Sequence, residues 1–256
     1  MNERYDAIIV GGGHNGLTAA GYLGKAGLKT IVLERRPVVG GAAITEEIYP
    51  GYRVSTVSYV VSLLRTEVIK DLELKRYGLD MIRMEGTLAV CGDDYLFLSG
   101  EEANDRKEVG RFSKVDYAAK HQFDAMVQKV GDVLRKQMLR EPPKLDAGFF
   151  DLMALARMGL DIRRLSPDLR YRLLQMFTSS AFDIIERWFE SPMIKSYYAS
   201  SCYSGNFASL RQPGSAIPFF HMAVGEIDGE QGAWRLVKGG MGGLTRAMAA
   251  FAQSKG

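Results

Sequence analysis

Three glycines near the start of the chain have the spacing of a phosphate-binding turn. Gly11, Gly13 and Gly16 follow the apolar run AIIV at 7–10, and apolar residues at helical spacing come after them. In such a turn the first glycine permits a sharp bend, the second lets backbone amides approach a pyrophosphate, and the third allows close helix–strand packing. The helix start adds N–H groups and a partial positive charge, which favour an anion. The predicted phosphate contacts are Gly11, Gly12, Gly13, His14, Asn15 and Gly16.

A carboxylate follows at the place expected for a ribose contact. The apolar run TIVL at 30–33 reads as a second buried strand, and Glu34 comes directly after it. A carboxylate there accepts hydrogen bonds from both ribose hydroxyls and repels a 2′-phosphate. This strand–helix–strand context predicts a dinucleotide site, whereas a tight structural turn without a ligand leaves Glu34 unexplained. No acidic partner for His14 is visible nearby, so a solvated loop residue is favoured over a catalytic one.

The segment after Glu34 points to one nucleotide. Residues 35–41 read RRPVVGG, which resembles the flavoprotein superfamily of phytoene desaturases, monoamine oxidases and glutathione-reductase-like FAD domains. In that superfamily a basic residue and a Gly-Gly pair follow the ribose-binding glutamate. The resemblance implies FAD, with Arg35, Gly40, Gly41 and Ala42 running past the phosphates towards the flavin. Taken alone, the glycine pair is also compatible with an ordinary turn.

Further motifs extend the resemblance over essentially the whole chain. They are DLELKRYG at 71–78, WFES at 188–191, QGAW at 231–234 and GGMGGL at 239–244. Together they are similar to the branch of pyridine nucleotide-disulfide oxidoreductase domain-containing protein 2 and its bacterial phytoene-dehydrogenase-like relatives. The resemblance implies an FAD-dependent oxidoreductase that takes a hydride from a C–H bond of an organic, apolar substrate. Residues 51–55 read GYRVS, without the aspartate that desaturases commonly carry there, so carotenoid desaturation is not transferred.

Two other classes of function stay open. They are a non-catalytic dinucleotide-binding or interaction protein and an NAD-dependent dehydrogenase. No side chain stands out as a catalytic acid or base, so the catalytic residues are not assigned.

Members of the family that this sequence resembles are about twice as long. This length predicts that the chain is truncated, and that its partner is the missing C-terminal half of the same protein. A two-stranded remnant of a parallel sheet would expose apolar surface and hold FAD weakly.

The predicted fold class is α/β. A Rossmann-like FAD-binding domain (glutathione-reductase-like βαβ) is interrupted by an α+β substrate domain, with boundaries at 1–70, 71–235 and 236–256. The substrate domain contains a hairpin about residues 92–94, a helix that starts at a Ser113/Asp116 capping box, and helix starts at Ser-Pro pairs 166–167 and 191–192. Residues 37–65 are predicted as a loop followed by a short strand or helix.

The glycine-rich segment GGMGGL opens the last predicted helix. Four glycines before a helix indicate either backbone close to a ligand or a plain helix-start loop, and the sequence does not choose. On the first reading Gly239, Gly240 and Met241 contact the cofactor.

Composition and charge narrow the remaining classes. A net charge of +3 is too small to predict a nucleic acid partner. Cys91 and Cys202 form no redox motif, and the three histidines lack metal-ligand spacing. With no room for a targeting peptide before the first strand and no long apolar run, the expected location is cytoplasmic. The segment at 148–165, GFFDLMALARMGLDIRRL, predicts either peripheral membrane contact or packing against the second domain.

Overall fold

A computed structural model of the chain describes residues 4–142, 144, 148–203 and 205–256, without the side chains of residues 221 and 222. Short 3₁₀ helices lie at Gly41–Ala43 and Ile217–Met222. In chain order the strands and α-helices are β1 (Ala7–Val10), α1 (His14–Lys25), β2 (Thr30–Leu33), β3 (Thr45–Tyr49), β4 (Tyr52–Ser55), α2 (Thr66–Asp71), β5 (Met81–Arg83), β6 (Thr87–Cys91), β7 (Asp94–Leu98), α3 (Glu102–Gly110), α4 (Lys114–Arg135), α5 (Phe149–Arg163), α6 (Pro167–Thr178), α7 (Ala181–Trp188), α8 (Pro192–Ser201), β8 (Glu226–Ile227), β9 (Glu230–Gln231), β10 (Arg235–Val237) and α9 (Gly242–Gln253).

The described chain divides into two compact units. One combines residues 1–84 and 226–256, and the other consists of residues 85–225. The first unit is therefore discontinuous in sequence, as the predicted interrupted domain requires. The divisions fall at 84/85 and 225/226 rather than at the predicted 70/71 and 235/236, because β5 pairs antiparallel with β10 inside the first unit. The substrate-binding role of residues 85–225 stays a prediction.

The first unit opens with the expected βαβ arrangement. β1 and β2 pair in parallel, from Ala7 opposite Thr30 to Val10 opposite Leu33, and α1 connects them. The sequence predicts Gly27 as the residue after the C-cap of this helix; α1 ends at Lys25, Ala26 is its C-cap, and Gly27 follows with a φ of +84°. The sheet has two strands among the described residues. Three of its apolar side chains are accordingly exposed, Ile8 at 66%, Val10 at 87% and Leu33 at 51%, as the sequence predicts for a two-stranded parallel sheet.

A hairpin replaces the loop that the sequence predicts after residue 40. β3 and β4 pair antiparallel, and Gly51 takes a φ of +84° in the turn between them. Most of their side chains are exposed, so the strands lack the buried alternation that identifies a strand in a sequence. The short strand or helix predicted at the end of 37–65 is absent from the described residues, where the chain bends at 56–57 and 62–64 and one isolated bridge joins Val61 to Arg235.

The last helix closes the core of the first unit. α9 packs against α1, with Leu17 and Phe251 in the shared apolar cluster. A side chain at Gly21 in α1 would lie 2.9 Å from a methyl carbon of Leu72, so the small residue allows the chain after α2 to approach. α9 also begins beside the segment that follows β2, where Thr245 of α9 contacts Ala43.

The second unit contains a hairpin and six helices among its described residues. β6 and β7 pair about a two-residue turn, with Cys91 opposite Asp94, which confirms the predicted hairpin. The Ser113 hydroxyl accepts from the Asp116 amide at the start of α4, as predicted. α6 and α8 begin at the prolines of the two Ser-Pro pairs. Phe123 is fully buried at the centre of the core. From the sequence this helix is predicted to run towards Leu139 and to be stopped by Glu141-Pro-Pro at 141–143; α4 ends at Arg135, and residue 143 lies outside the described residues.

Candidate functional site

The glycine turn after β1 is built so that backbone surfaces meet. Gly11 takes a φ of +101°, in the left-handed region that favours glycine. A Cβ at Gly16 would overlap the carbonyl oxygen of Gly11 and lie 3.2 Å from a methyl carbon of Ile9. The missing side chains therefore bring the first turn of α1 directly onto the end of β1. This is the packing that the glycine spacing predicts.

The amino terminus of α1 has no side-chain cap. Its N-cap residue is Gly13, and the first amide bond within the helix runs from the Leu17 N–H to the Gly13 oxygen at 2.9 Å. For the amides of Asn15 and Gly16, the described part of the chain supplies no acceptor. Asn15 is exposed and Gly16 is half-buried. Uncapped N–H groups at a helix start, within reach of solvent, suit an anionic ligand.

Glu34 lies directly beside this turn. Its carboxylate accepts from the Gly12 amide at 2.7 Å and from the Arg36 amide at 2.9 Å. These two hydrogen bonds lower the pKa of Glu34. The bond from the Arg36 amide has the larger effect, and the bond from the Gly12 amide has the second largest. Glu34 is therefore a carboxylate at neutral pH, held at the carboxyl end of β2. Its bond to the glycine turn is a role that the sequence did not predict.

The Gly40-Gly41 pair packs on the same turn. The Gly40 amide donates to the Gly12 oxygen at 2.8 Å, and Gly13 and Gly40 form a parallel bridge. Gly40 has a φ of +144°, and a Cβ on Gly41 would lie 3.1 Å from the Gly13 Cα. The two glycine segments thus form one continuous backbone surface. The tight side of this contact is Gly41, since a Cβ on Gly13 would lie 3.8 Å from the Gly41 Cα, an ordinary contact distance.

The neighbouring basic residues have different surroundings. Arg35 and Ala42 are exposed. The Arg36 guanidinium, which the sequence did not single out, forms an ion pair with Glu46 of β3. The predicted contacts of Arg35 and Ala42 with a cofactor stay predictions.

In the second glycine-rich segment, at 239–244, side-chain hydroxyls of the protein cap the first amides of α9, and we call this capped start sealed. The Met241 amide donates to the Ser55 hydroxyl at 3.0 Å, and the Gly242 amide donates to the Thr45 hydroxyl at 2.8 Å. A Cβ on Gly240 would overlap the Thr45 hydroxyl oxygen. The start of α9 is buried, in contrast to that of α1. Thr45 and Ser55 are therefore important residues that sequence reasoning missed.

The structure brings most of the predicted site residues together. The turn at 11–16, Glu34 and the Gly40-Gly41 pair are in mutual contact. The start of α9 contacts the residues that directly follow the glycine pair: the Thr245 hydroxyl donates to the Ala43 carbonyl oxygen at 3.2 Å. These contacts give Gly240 a packing role. Whether Gly239, Gly240 and Met241 also contact a cofactor stays a prediction.

The described residues offer neither a metal site nor a membrane-spanning helix. They contain no group of three or more His, Cys, Asp or Glu side chains arranged to hold a metal ion. Their helices are too short or too polar to cross a membrane.

A βαβ unit with a glycine turn, an uncapped helix start and a carboxylate at the end of β2 defines a Rossmann-like dinucleotide-binding protein. Residues 9–72 match the family model described as an NAD(P)-binding Rossmann-like domain. The chain is homologous to "Pyridine nucleotide-disulfide oxidoreductase domain-containing protein 2" of Rattus norvegicus, with 35% identity over 100% of this chain and 47% of that protein. The chain therefore spans about half the length of this curated relative.

Solved structures share the fold at low sequence identity. A putrescine oxidase triple mutant superposes with a TM-score of 0.59 at 17% identity, covering 98% of this chain and 50% of that one. Cyclohexylamine oxidase from Brevibacterium oxydans gives a TM-score of 0.56 at 16% identity, covering 99% of this chain and 50% of that one. At such identities the similarity shows the fold alone.

Proposed function

We propose that this chain binds FAD and forms part of an FAD-dependent oxidoreductase. The observation that carries the proposal is the single backbone surface formed by the turn at 11–16 and the Gly40-Gly41 pair, with the Glu34 carboxylate at its edge. A Rossmann turn and a carboxylate serve any dinucleotide. The added glycine pair favours FAD through its resemblance to the flavoprotein superfamily, and the homology to a protein named as an oxidoreductase supports the reaction class.

Each group of residues has a distinct role in this proposal. The uncapped start of α1, with Asn15 and Gly16, would hold the pyrophosphate, because its N–H groups face an anion without competition from a side chain. Glu34 would accept the hydroxyls of the adenosine ribose. Arg35 and residues 40–42 would lie along the path from the phosphates towards the flavin. FAD supplies hydride acceptance when bound, and the protein positions the substrate and excludes water.

The substrate is proposed at the level of chemistry only. It would be an organic, apolar molecule that loses a hydride from a C–H bond, next to either carbon or nitrogen. We further propose that a segment corresponding to the rest of the relatives' length completes the flavin site. Two observations support this: the chain spans 47% of its relative, and Val10 of β1 is 87% exposed. FAD held by this chain alone is therefore expected to bind weakly.

Nucleotide binding tests the cofactor. Titration calorimetry of the chain with FAD, ADP-ribose, NAD⁺ and NADP⁺ should give the tightest binding for FAD. NADP⁺ should bind weakest, because its 2′-phosphate meets the Glu34 carboxylate. Glu34→Ala should weaken FAD binding by about 10- to 100-fold, the range for hydrogen bonds to a charged group. Tighter binding of NADP⁺ than of NAD⁺ would contradict the ribose role of Glu34.

One observation favours a second candidate, an NAD-dependent dehydrogenase. The family model that matches residues 9–72 is described as NAD(P)-binding. Tighter binding of NAD⁺ than of FAD in the same titrations would select this candidate.

Anaerobic addition of apolar amines and hydrocarbons to the FAD-loaded protein tests turnover. Bleaching of the flavin absorption by a substrate supports an oxidoreductase. With FAD bound and the completing segment present, a spectrum unchanged by every candidate substrate would instead favour a non-catalytic dinucleotide-binding protein.

A further inference from the structure

Helix α5 presents apolar side chains to solvent. None of its 15 residues is buried. Phe149 is 71% exposed, Phe150 84% and Leu152 61%. A helix of a globular unit normally buries its apolar face against the core. Exposed apolar surface on this scale indicates a binding surface.

The polarity of α5 is inverted relative to the core. Phe149, Met153, Ala156 and Leu160 follow one another at spacings of three and four, so they form a stripe on one face, and all four are exposed. The two acidic residues of the helix are half-buried and lie away from this stripe, as their positions in the helical repeat require. One of them, Asp161, accepts from the Arg140 guanidinium at 3.0 Å. The outward face of α5 therefore carries no carboxylate.

The exposed charged side chains of α5 and of its C-cap residue are all arginines. Arg157, Arg163 and Arg164 are exposed, and the side chain of Arg164 keeps 79% of its accessible surface. Arg140 and Arg157, together with one carboxylate, Glu141, also line an open groove of about 640 Å³ beside the helix. An apolar stripe bordered by arginines is complementary to a surface that is apolar inside and anionic at its boundary.

We propose that α5 docks this protein onto the surface of an anionic lipid bilayer. The stripe enters the boundary between headgroups and acyl chains, with the helix lying in the plane of the membrane, while Arg157, Arg163 and Arg164 contact lipid phosphates. A second copy of the chain suits this face less well. It would offer the same arginines and apolar side chains, with three exposed arginines on α5 and its C-cap against the single exposed carboxylate of Glu141 at the groove. The inference concerns residues 85–225 and does not depend on the proposed FAD site.

Vesicle co-sedimentation of the whole chain tests the proposal. The lipids are phosphatidylcholine alone and an equal mixture of phosphatidylcholine and phosphatidylglycerol. The chain should partition to the anionic vesicles and be released by salt. Phe149→Ser/Phe150→Ser/Met153→Ser should weaken binding by roughly tenfold or more through the lost apolar contact. Arg157→Gln/Arg163→Gln/Arg164→Gln should weaken it by about fivefold for each charge removed.

Two matched variants in the same unit serve as controls. Leu88→Ser/Val90→Ser removes apolar side chains of β6 that are 59% and 69% exposed. Lys107→Gln/Lys114→Gln/Lys129→Gln removes three exposed cations. Both should bind vesicles as the unaltered chain does. Because all of these side chains are exposed, circular dichroism should show the same folded helix content in every variant.

Three results would overturn the proposal. They are absence of binding to anionic vesicles, equal loss of binding in the α5 variants and their controls, and binding that is equally strong to phosphatidylcholine alone. Sedimentation velocity without lipid measures whether two copies of the chain associate. If the unaltered chain self-associates but does not bind vesicles, and the α5 variants do not self-associate, the face is an interface between copies. As a final readout, Phe149→Trp, compared with the unaltered chain and its two tryptophans, should add fluorescence that shifts to shorter wavelength on anionic vesicles, and an unchanged difference spectrum would contradict burial of the stripe in the bilayer.

Discussion

Two helices of the first unit, α1 and α9, begin at glycine-rich segments, but they differ in whether side chains accept hydrogen bonds from their first amides. The start of α1 is half-exposed, and no side chain caps it. The start of α9 is buried, and the hydroxyls of Thr45 and Ser55 accept its first amides. Glycines therefore serve two purposes here. In α1 they leave amides available for a ligand, and in α9 they let one part of the protein approach another.

The largest effect should come from Gly240→Ala at the sealed end. Gly240 has a φ of +85°, and a Cβ there would overlap the Thr45 hydroxyl oxygen. Backbone strain and overpacking together should lower the free energy of unfolding by about 4 kcal/mol. Gly239→Ala is the control, since Gly239 has a similar φ of +77° but open space around it. It should cost only the strain, about 1–2 kcal/mol. Equal losses for the two variants in urea unfolding would contradict the sealing contact.

Gly16→Ala tests the open end. The new Cβ would overlap the Gly11 carbonyl oxygen, so α1 must move away from β1. We expect a loss of about 2–3 kcal/mol in unfolding free energy and loss of FAD binding in calorimetry. Gly159→Ala in α5 has no neighbour within 4 Å. It should gain up to about 1 kcal/mol from helix propensity and leave FAD binding unchanged. Normal FAD affinity in Gly16→Ala would remove the turn from the proposed site.

Thr45→Val distinguishes the two helix starts by chemistry rather than by volume. The substitution keeps the shape of a buried side chain but leaves the Gly242 amide without its acceptor. A buried unpaired amide should lower the unfolding free energy by about 1–3 kcal/mol. Thr87→Val on the exposed surface of β6 should change it by less than about 0.5 kcal/mol. A neutral Thr45→Val would mean that the hydroxyl does not seal α9.

The smallest effect should be the pH dependence of Glu34. Amides of Arg36 and Gly12 lower the pKa of this carboxyl in the folded chain. A lowered folded-state pKa contributes stability above the unfolded pKa, and that stability is lost as pH falls through the folded pKa. Glu34→Gln should therefore flatten the decline of stability in acid. Carbon-detected NMR titration of Glu34 measures the shift, and a carboxyl that titrates at the ordinary glutamate value would contradict the amide contacts.

The sequence predicted the local part of the site because its determinants are local. The glycine spacing, the apolar runs and Glu34 lie within one βαβ unit, where each residue's role depends on near neighbours. The prediction of a loop where β3 and β4 form a hairpin was wrong, because the side chains of these strands are mostly exposed and the sequence shows no alternation of apolar and polar residues there. For residues 148–165 the sequence left membrane contact and domain packing open. The exposure of α5 is what favours the membrane as an inference.

By itself, then, the sequence determined the βαβ unit, the glycine turn and the carboxylate that ends β2, since each follows from backbone sterics and short-range periodicity. Only the tertiary structure decided that α9 is sealed while α1 stays open. Gly242 meets Thr45 across 197 positions, and Met241 meets Ser55 across 186. Nothing in a run of glycines encodes whether a hydroxyl so distant in the chain will reach their amides, because that depends on how the whole unit packs.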